Sequence, residues 1–135
     1  MAPPHIIKLT VNGDRVTADP NPAPGKGNRV NPGDLVTWVY DPALELQVVF
    51  SKVSELPLGN PPEDISPYGP FNSLNVVIGG GQTFGTIRAD IPTDKNRRYF
   101  CKIFKDGKEL LWIGPVGGSP DQATGGGLDI PMTPG

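Results

Sequence analysis

Hydrophobic and polar positions alternate in short bursts along this chain, and each burst ends at a turn-forming residue. From Ile6 to Val11, the side chains of Ile7, Leu9 and Val11 fall on one face of an extended segment, and those of Ile6, Lys8 and Thr10 on the other. Asn12-Gly13 follows, a dipeptide suited to the positive φ of a two-residue hairpin loop, and Val16 to Asp19 is the returning strand. Leu35 to Tyr40 alternates most cleanly, with Val36, Trp38 and Tyr40 opposite Leu35, Thr37 and Val39. Apolar residues on both faces predict a central strand covered on both sides. Before it, Asn31-Pro32-Gly33-Asp34 reads as a type II turn, because Pro pre-sets φ and Gly accepts the left-handed position.

Further strands are predicted over Leu46 to Val53, Leu74 to Ile78 and Thr83 to Ile91, the last two separated by Gly79-Gly80-Gly81. Arg97 to Phe104 sets Tyr99, Cys101 and Ile103 against Phe100 and Phe104, and the Asp106-Gly107 hairpin returns as Glu109 to Ile113. Pro20 to Gly27 cannot pair continuously, since three prolines lack the donor. The stretch 54–72 carries five prolines and reads as a folded Ω-like loop. Seven to nine short strands predict an all-β fold, an antiparallel β-sandwich or small barrel. The domain core is expected over 1–113, with the long loop at 54–72. The Gly/Pro-rich segment 114–135, which holds one last apolar triplet at Leu128-Asp129-Ile130, packs on or trails from it.

Composition supports this more than it first suggests. The 18 Gly and 17 Pro form about a quarter of the 135 residues, near the level at which disorder becomes the default expectation. The glycines keep no three-residue period, which excludes collagen, and Pro or Gly interrupts nearly every window long enough for a helix. Most fall at the predicted turns. A net charge of −2 with interspersed signs leaves no basic stripe for nucleic acid or an anionic membrane. Lys95, Arg97 and Arg98 form a small cluster at a turn and read as a solvated loop. No apolar run approaches the ~20 residues of a membrane span. Met-Ala-Pro-Pro-His has neither the basic nor the apolar part of a secretion signal, so a cytoplasmic location is expected.

The block from Val30 to Tyr40, with Pro32-Gly33-Asp34 before a strand containing Trp38, resembles the cupredoxins, the plastocyanin and azurin group of β-sandwiches. Leu46-Gln47-Val48-Val49-Phe50 then stands where that family carries His-Asn-Val-x-Phe. Tyr99-Phe100-Cys101-Lys102-Ile103-Phe104 stands where it carries Tyr-x-Tyr/Phe-x-Cys-x-x-His. The resemblance implies an antiparallel Greek-key β-sandwich, cupredoxin-like, and it places Leu46 and Phe104 at the two His positions. No Met occurs near Glu109 and Leu110. Only Cys101 matches a ligand type, and a blue-copper site needs two imidazoles beside the thiolate. No metal or cofactor is therefore expected.

Other chemistry has thin support. His5, the only histidine, reads as a surface or strand-end residue. Cys101 reads as a small buried hydrophobe rather than a reactive thiol. Glu45 with Glu109 is a conceivable hydrolytic carboxylate pair, and Glu63-Asp64 a solvated acidic patch. Gly79 to Gly85 lacks the Gly-Lys-Ser/Thr and the following helix of a phosphate loop. The expected role is a non-enzymatic protein-binding or assembly module. Its partner would be another protein at an apolar patch of Leu46, Phe104, Leu110, Tyr68 and Phe71, or a second copy through a sheet edge, with no nucleic acid and no membrane. That patch is either capped by the long loop, the preferred reading, and hence core, or exposed and suited to a protein partner. The alternative is a copper electron-transfer protein whose site is completed between chains by Cys101 and a neighbour's His5.

Overall fold

The computed structural model describes residues 5–19, 28–55, 63–112 and 127–132. Pro20 to Gly27, much of the long loop, Ile113 and most of the C-terminal segment lie outside them. Among the described residues all regular structure is β, in two mixed sheets. In the first sheet, β1 (His5–Asn12) and β2 (Arg15–Asp19) pair as a hairpin, and β4 (Leu35–Val39) lies parallel to β1. Then come β8 (Gln82–Thr86) and the edge strand β7 (Asn75–Val77), while β11 (Leu111–Trp112) closes the other edge beside β2. The second sheet is built on the long pair β5 (Leu46–Glu55) and β9 (Arg97–Lys105). It is flanked by β6 (Glu63–Asp64) on one side, and on the other by β12 (Leu128–Ile130) and β3 (Asn28–Arg29). β10 (Lys108–Glu109) adds to the end of β9.

The inward residues of both sheets share one apolar core. Ile7, Leu9, Val16, Val36 and Trp38 from the first sheet meet Leu46, Val48, Phe50, Ile103 and Leu128 from the second. Trp38 and Phe50 stand 6.1 Å apart between ring centroids, and Phe71 packs 5.9 Å from Trp38 and 5.8 Å from Phe50. Such tilted and edge-on aromatic contacts are favourable beyond their buried area. Gly85 in β8 has no side chain because a Cβ there would meet the Phe71 ring at 2.9 Å.

Turn chemistry follows the sequence closely. Asp106 and Gly107 take φ of 52° and 78°, the pair of left-handed residues of a type I′ hairpin. At the first hairpin the loop residues are Gly13 and Asp14, one position later than predicted, and only Gly13 has positive φ. Gly33 has φ of 89° and the Asp34 amide donates to the Asn31 carbonyl at 3.1 Å, as a type II turn requires.

Four expectations change. The sheets are not purely antiparallel, because β1–β4, β11–β2 and β12–β3 run parallel. Among the described residues twelve strands replace seven to nine, since six of them have only two or three residues, too few to give a period. β4 is central in its sheet but its second face is only partly covered, for Leu35 remains 39% exposed while Thr37 and Val39 are half-buried. The strand expected from Glu109 to Ile113 breaks at Leu110, and that of Thr83 to Ile91 ends at Thr86. The Leu110 amide donates to Ile103 in the second sheet and the Leu111 amide to Asp14 in the first, both at 2.8 Å. The chain thus changes sheets at one buried leucine.

Between Phe50 and Lys52 the β5–β9 register slips by one residue. The extra residue, Ser51, turns the inward positions from even to odd, so Val53 joins the core. The Phe50 amide, facing away from β9, donates to the Pro67 carbonyl at 2.9 Å, and that of Ile65 to Ser51 at 3.2 Å. The described part of the long loop therefore lies along β5 and joins the first sheet at the Phe71–Ile87 bridge.

Gly81 tests the turn that carries the chain from β7 to β8. Its φ is 65° and a Cβ would collide with the Tyr40 carbonyl oxygen, while Gly13, at φ 62°, has open space around it. Gly81→Ala is expected to lower unfolding free energy by about 2–4 kcal/mol, combining backbone strain with a clash. Gly13→Ala should cost only the left-handed penalty of about 1–2 kcal/mol. Urea midpoints of the two variants check the difference.

Candidate functional site

One end of the molecule gathers three turns. They are the bend after β4, the β7–β8 loop and the β9–β10 hairpin. Between them lies a cleft of about 380 Å³ lined by Leu46, Phe104, Val76, Val77 and Ile78, with Glu45 and Asp106 among its polar members. The Tyr40 hydroxyl closes its floor, sharing a 3.0 Å hydrogen bond with Thr83 Oγ1 and donating to the Leu46 carbonyl at 3.5 Å. Both side chains are buried, so the floor's polar atoms are satisfied among themselves.

β7 makes one wall. Among the described residues it pairs only with β8, and no strand lies along its other edge. Val76, Val77 and Ile78 are 51%, 39% and 85% exposed, and β7 carries no charge, proline or bulge of the kind that protects a sheet edge. Opposite lie Leu46 and Gln47 at the start of β5 and Phe104 on β9. The β7 edge and the end of the β5–β9 pair thus face a shared apolar cleft.

The structure brings only part of the sequence-predicted patch together. Leu46 and Phe104 line the cleft on neighbouring strands, with Gln47 opposite Phe104 in register. Leu110 is buried in the core at the sheet change. Phe71 is buried against Trp38 and Phe50, and Tyr68, 47% exposed, sits on the loop beside β5. The described part of the loop does not line the cleft, and residues 56–62, on which the expected cap also depends, lie outside the described residues. Trp112 forms β11 against Val16. The residues missed by sequence reading are Val76 to Ile78. Their signal was three consecutive aliphatics, where a half-buried strand would alternate.

Cys101 does not face Leu46 or Phe104. It pairs with Phe50, four residues along β9 from the Lys105 partner of Leu46, or ~13 Å at strand rise. The side chain is buried in the core, and burial pushes the thiol well above its ordinary range. His5 begins β1 and its Nε2 lies 2.9 Å from Asp34 Oδ2, which also accepts from the Asn31 amide at 2.9 Å. Among the described residues no three His, Cys, Asp or Glu side chains are grouped to hold a metal ion. Glu109 is engaged with Lys102 at 3.4 Å on the surface.

The basic cluster is divided among three carboxylates. Lys95 pairs with Glu55 at 2.7 Å, Arg97 with Asp94 at 2.9 Å, and Arg98 with Asp129 at 2.6 Å. Arg98 departs from the expected solvated loop. It is 2% exposed and grips Asp129 with two nitrogens, the second at 2.9 Å, across the β9–β12 pair. The fork geometry of guanidinium and carboxylate makes this a strong junction. No helix of the described residues is long and apolar enough to cross a membrane. No protein-family model matches the chain, and no curated protein matches it in sequence.

Removing one partner of a buried pair strands the other charge, so Arg98→Ala is expected to cost about 3–5 kcal/mol. Lys95→Ala, at an exposed pair, should leave the denaturation midpoint nearly unchanged. For Cys101, the folded state holds the thiol proton to higher pH than the unfolded chain does. The stabilisation is complete below the ordinary thiol value of 9.0 and is lost as pH rises above it. Tyr99, also raised by burial, adds to the same trend at higher pH. Unfolding free energies measured from pH 8 upward should therefore fall less steeply in Cys101→Ser than in the wild type.

Proposed function

We propose that this chain is a non-enzymatic, cupredoxin-like β-sandwich without a type 1 copper site, and that it docks an extended segment of a partner protein at the β7 edge. The observation that carries this reading is the pairing of an unprotected edge strand with an apolar cleft at the same place. A sheet edge offers main-chain donors and acceptors for strand addition, and a neighbouring cleft reads alternate side chains. Val76 shares the inward face with its cross-strand neighbour Thr83, so alternate side chains of an added strand would point toward Leu46.

The cupredoxin-like frame is supported by the Pro32-Gly33-Asp34 turn leading into the Trp38 strand, and by Leu46 and Phe104 lining one cleft. Those two side chains have no lone pairs to offer a metal, and they suit hydrophobic contact instead. Burial of Cys101 speaks against copper shared between chains, because a neighbour's His5 would have to reach a thiol inside the core.

The test uses a capped, uncharged peptide, Ser-Val-Thr-Val-Thr-Val-Ser, titrated into isotopically labelled protein while amide resonances are followed. Shifts are expected at Val76 to Ile78 and at Leu46 and Gln47. They should vanish when alternate peptide nitrogens are methylated, and weaken in Ile78→Lys, which leaves thermal stability unchanged because that side chain is mostly exposed. Absence of shifts at β7, or equal binding of the methylated peptide, overturns strand docking. Sedimentation without peptide showing a dimer that Ile78→Lys dissolves assigns the edge to a second copy and overturns the partner reading as well.

A further inference from the structure

Resting on that docking reading, we infer that the partner segment carries one aliphatic residue opposite Val76, with a proline on either side of it. The alternation of hydrogen bonds in the first sheet supplies the starting point. The Tyr40 amide donates to the Gly81 carbonyl at 2.8 Å and the Ile87 amide to the Asp34 carbonyl at 2.9 Å, both in the β4–β8 register. In an antiparallel ladder this role alternates along the strand, so Thr83 and Gly85 also turn to β4, whereas Gln82 and Phe84 turn to β7. Gln82 stands opposite Val77, and Phe84 opposite Asn75. Asn75 and Val77 are therefore bonded to β8, and within β7 Val76 alone turns its N–H and C=O outward. No strand of the described residues lies beyond them.

A single outward residue makes the recognition narrow. An added residue that exchanges hydrogen bonds with Val76 must keep its own N–H. Its side chain falls on the same face as that of Val76, which lines the cleft with Leu46, so an aliphatic group suits it. Its two neighbours turn their backbone away from β7, where a proline forfeits no bond. Their side chains fall on the outer face beside Asn75 and Val77, and β4, β7 and β8 carry no charged residue. Proline is favoured there for two further reasons. Two hydrogen bonds offset little chain ordering, and proline holds itself and the residue before it near the extended conformation in advance. It also removes donors from the outer edge of the added strand, so addition stops after one strand.

The experiment compares capped Ser-Val-Thr-Val-Thr-Val-Ser with Ser-Val-Pro-Val-Pro-Val-Ser, and with the second peptide methylated at its central valine nitrogen. Resonance shifts and amide exchange are followed in labelled protein. In the free protein the Val76 amide should exchange at least about tenfold faster than those of Asn75 and Val77, and it should slow when peptide binds. The proline peptide is expected to bind about fivefold more tightly than the threonine peptide, because its unbound chain has less freedom to lose. Methylation of its central valine should weaken binding about tenfold, through the lost donor. If the threonine peptide shifts β7 and the proline peptide binds no more tightly, docking stands and the proline-flanked partner falls. If neither peptide shifts β7, the docking reading itself falls. Indifference to the central methyl, or a Val76 amide as protected as its neighbours in the free protein, overturns the assignment to Val76.

Discussion

The contact among Trp38, Phe50 and Phe71 is the constraint on which the rest of the molecule depends. Each ring comes from a different part of the chain: the first sheet, the second sheet and the long loop. Their meeting fixes the spacing of the sheets and holds the loop beside β5. Two glycines make room for it, since a Cβ at Gly85 would strike Phe71 and one at Gly69 would strike Phe50. The slip at Ser51 belongs to the same arrangement. It leaves the Phe50 amide facing the loop, where Pro67 accepts its hydrogen bond, while the ring stays in the core. Loss of the loop's position would expose both the ring cluster and an unpaired strand edge.

Much of the fold was legible because local rules and tertiary burial agree over its longer strands. Ile7 and Leu9, Val36 and Trp38, and Tyr99, Cys101 and Ile103 are buried as their alternation predicts. Asp106-Gly107 and Pro32-Gly33 form the turns that their residues favour. What escaped the sequence was set by distant partners. Two residues such as Leu111-Trp112 become a strand only because β2 lies beside them, and nothing local marks that pairing as parallel. Ser51 resembles any polar residue in a strand until β9 shows that it has no counterpart. Arg98 reads as a surface charge because its carboxylate lies 31 positions away.

The cleft was half legible for a similar reason. Leu46 and Phe104 were recognised through their place in a resemblance, yet the opposite wall comes from Val76 to Ile78, on the other sheet. Phe71 and Tyr68 were attributed to the same patch because the loop has no periodicity from which its course can be inferred. Aliphatic side chains from both sheets make its walls, beside a β7 edge along which no strand lies among the described residues.

The position of β12 has a consequence for the order in which this protein assembles. Leu128 to Ile130 lies between β3 and β9, and Leu128 and Ile130 are almost wholly buried. A ribosome delivers residues 28 and 99 well before 128, so a growing chain carries β3 with no neighbour on the side where β12 will insert. During synthesis the first sheet and the β5–β9 pair can form, but the second sheet remains a partial one with an open slot. Closure comes last, through a strand of three residues clasped by Arg98, and until then the slot is a vulnerable edge on a nascent chain.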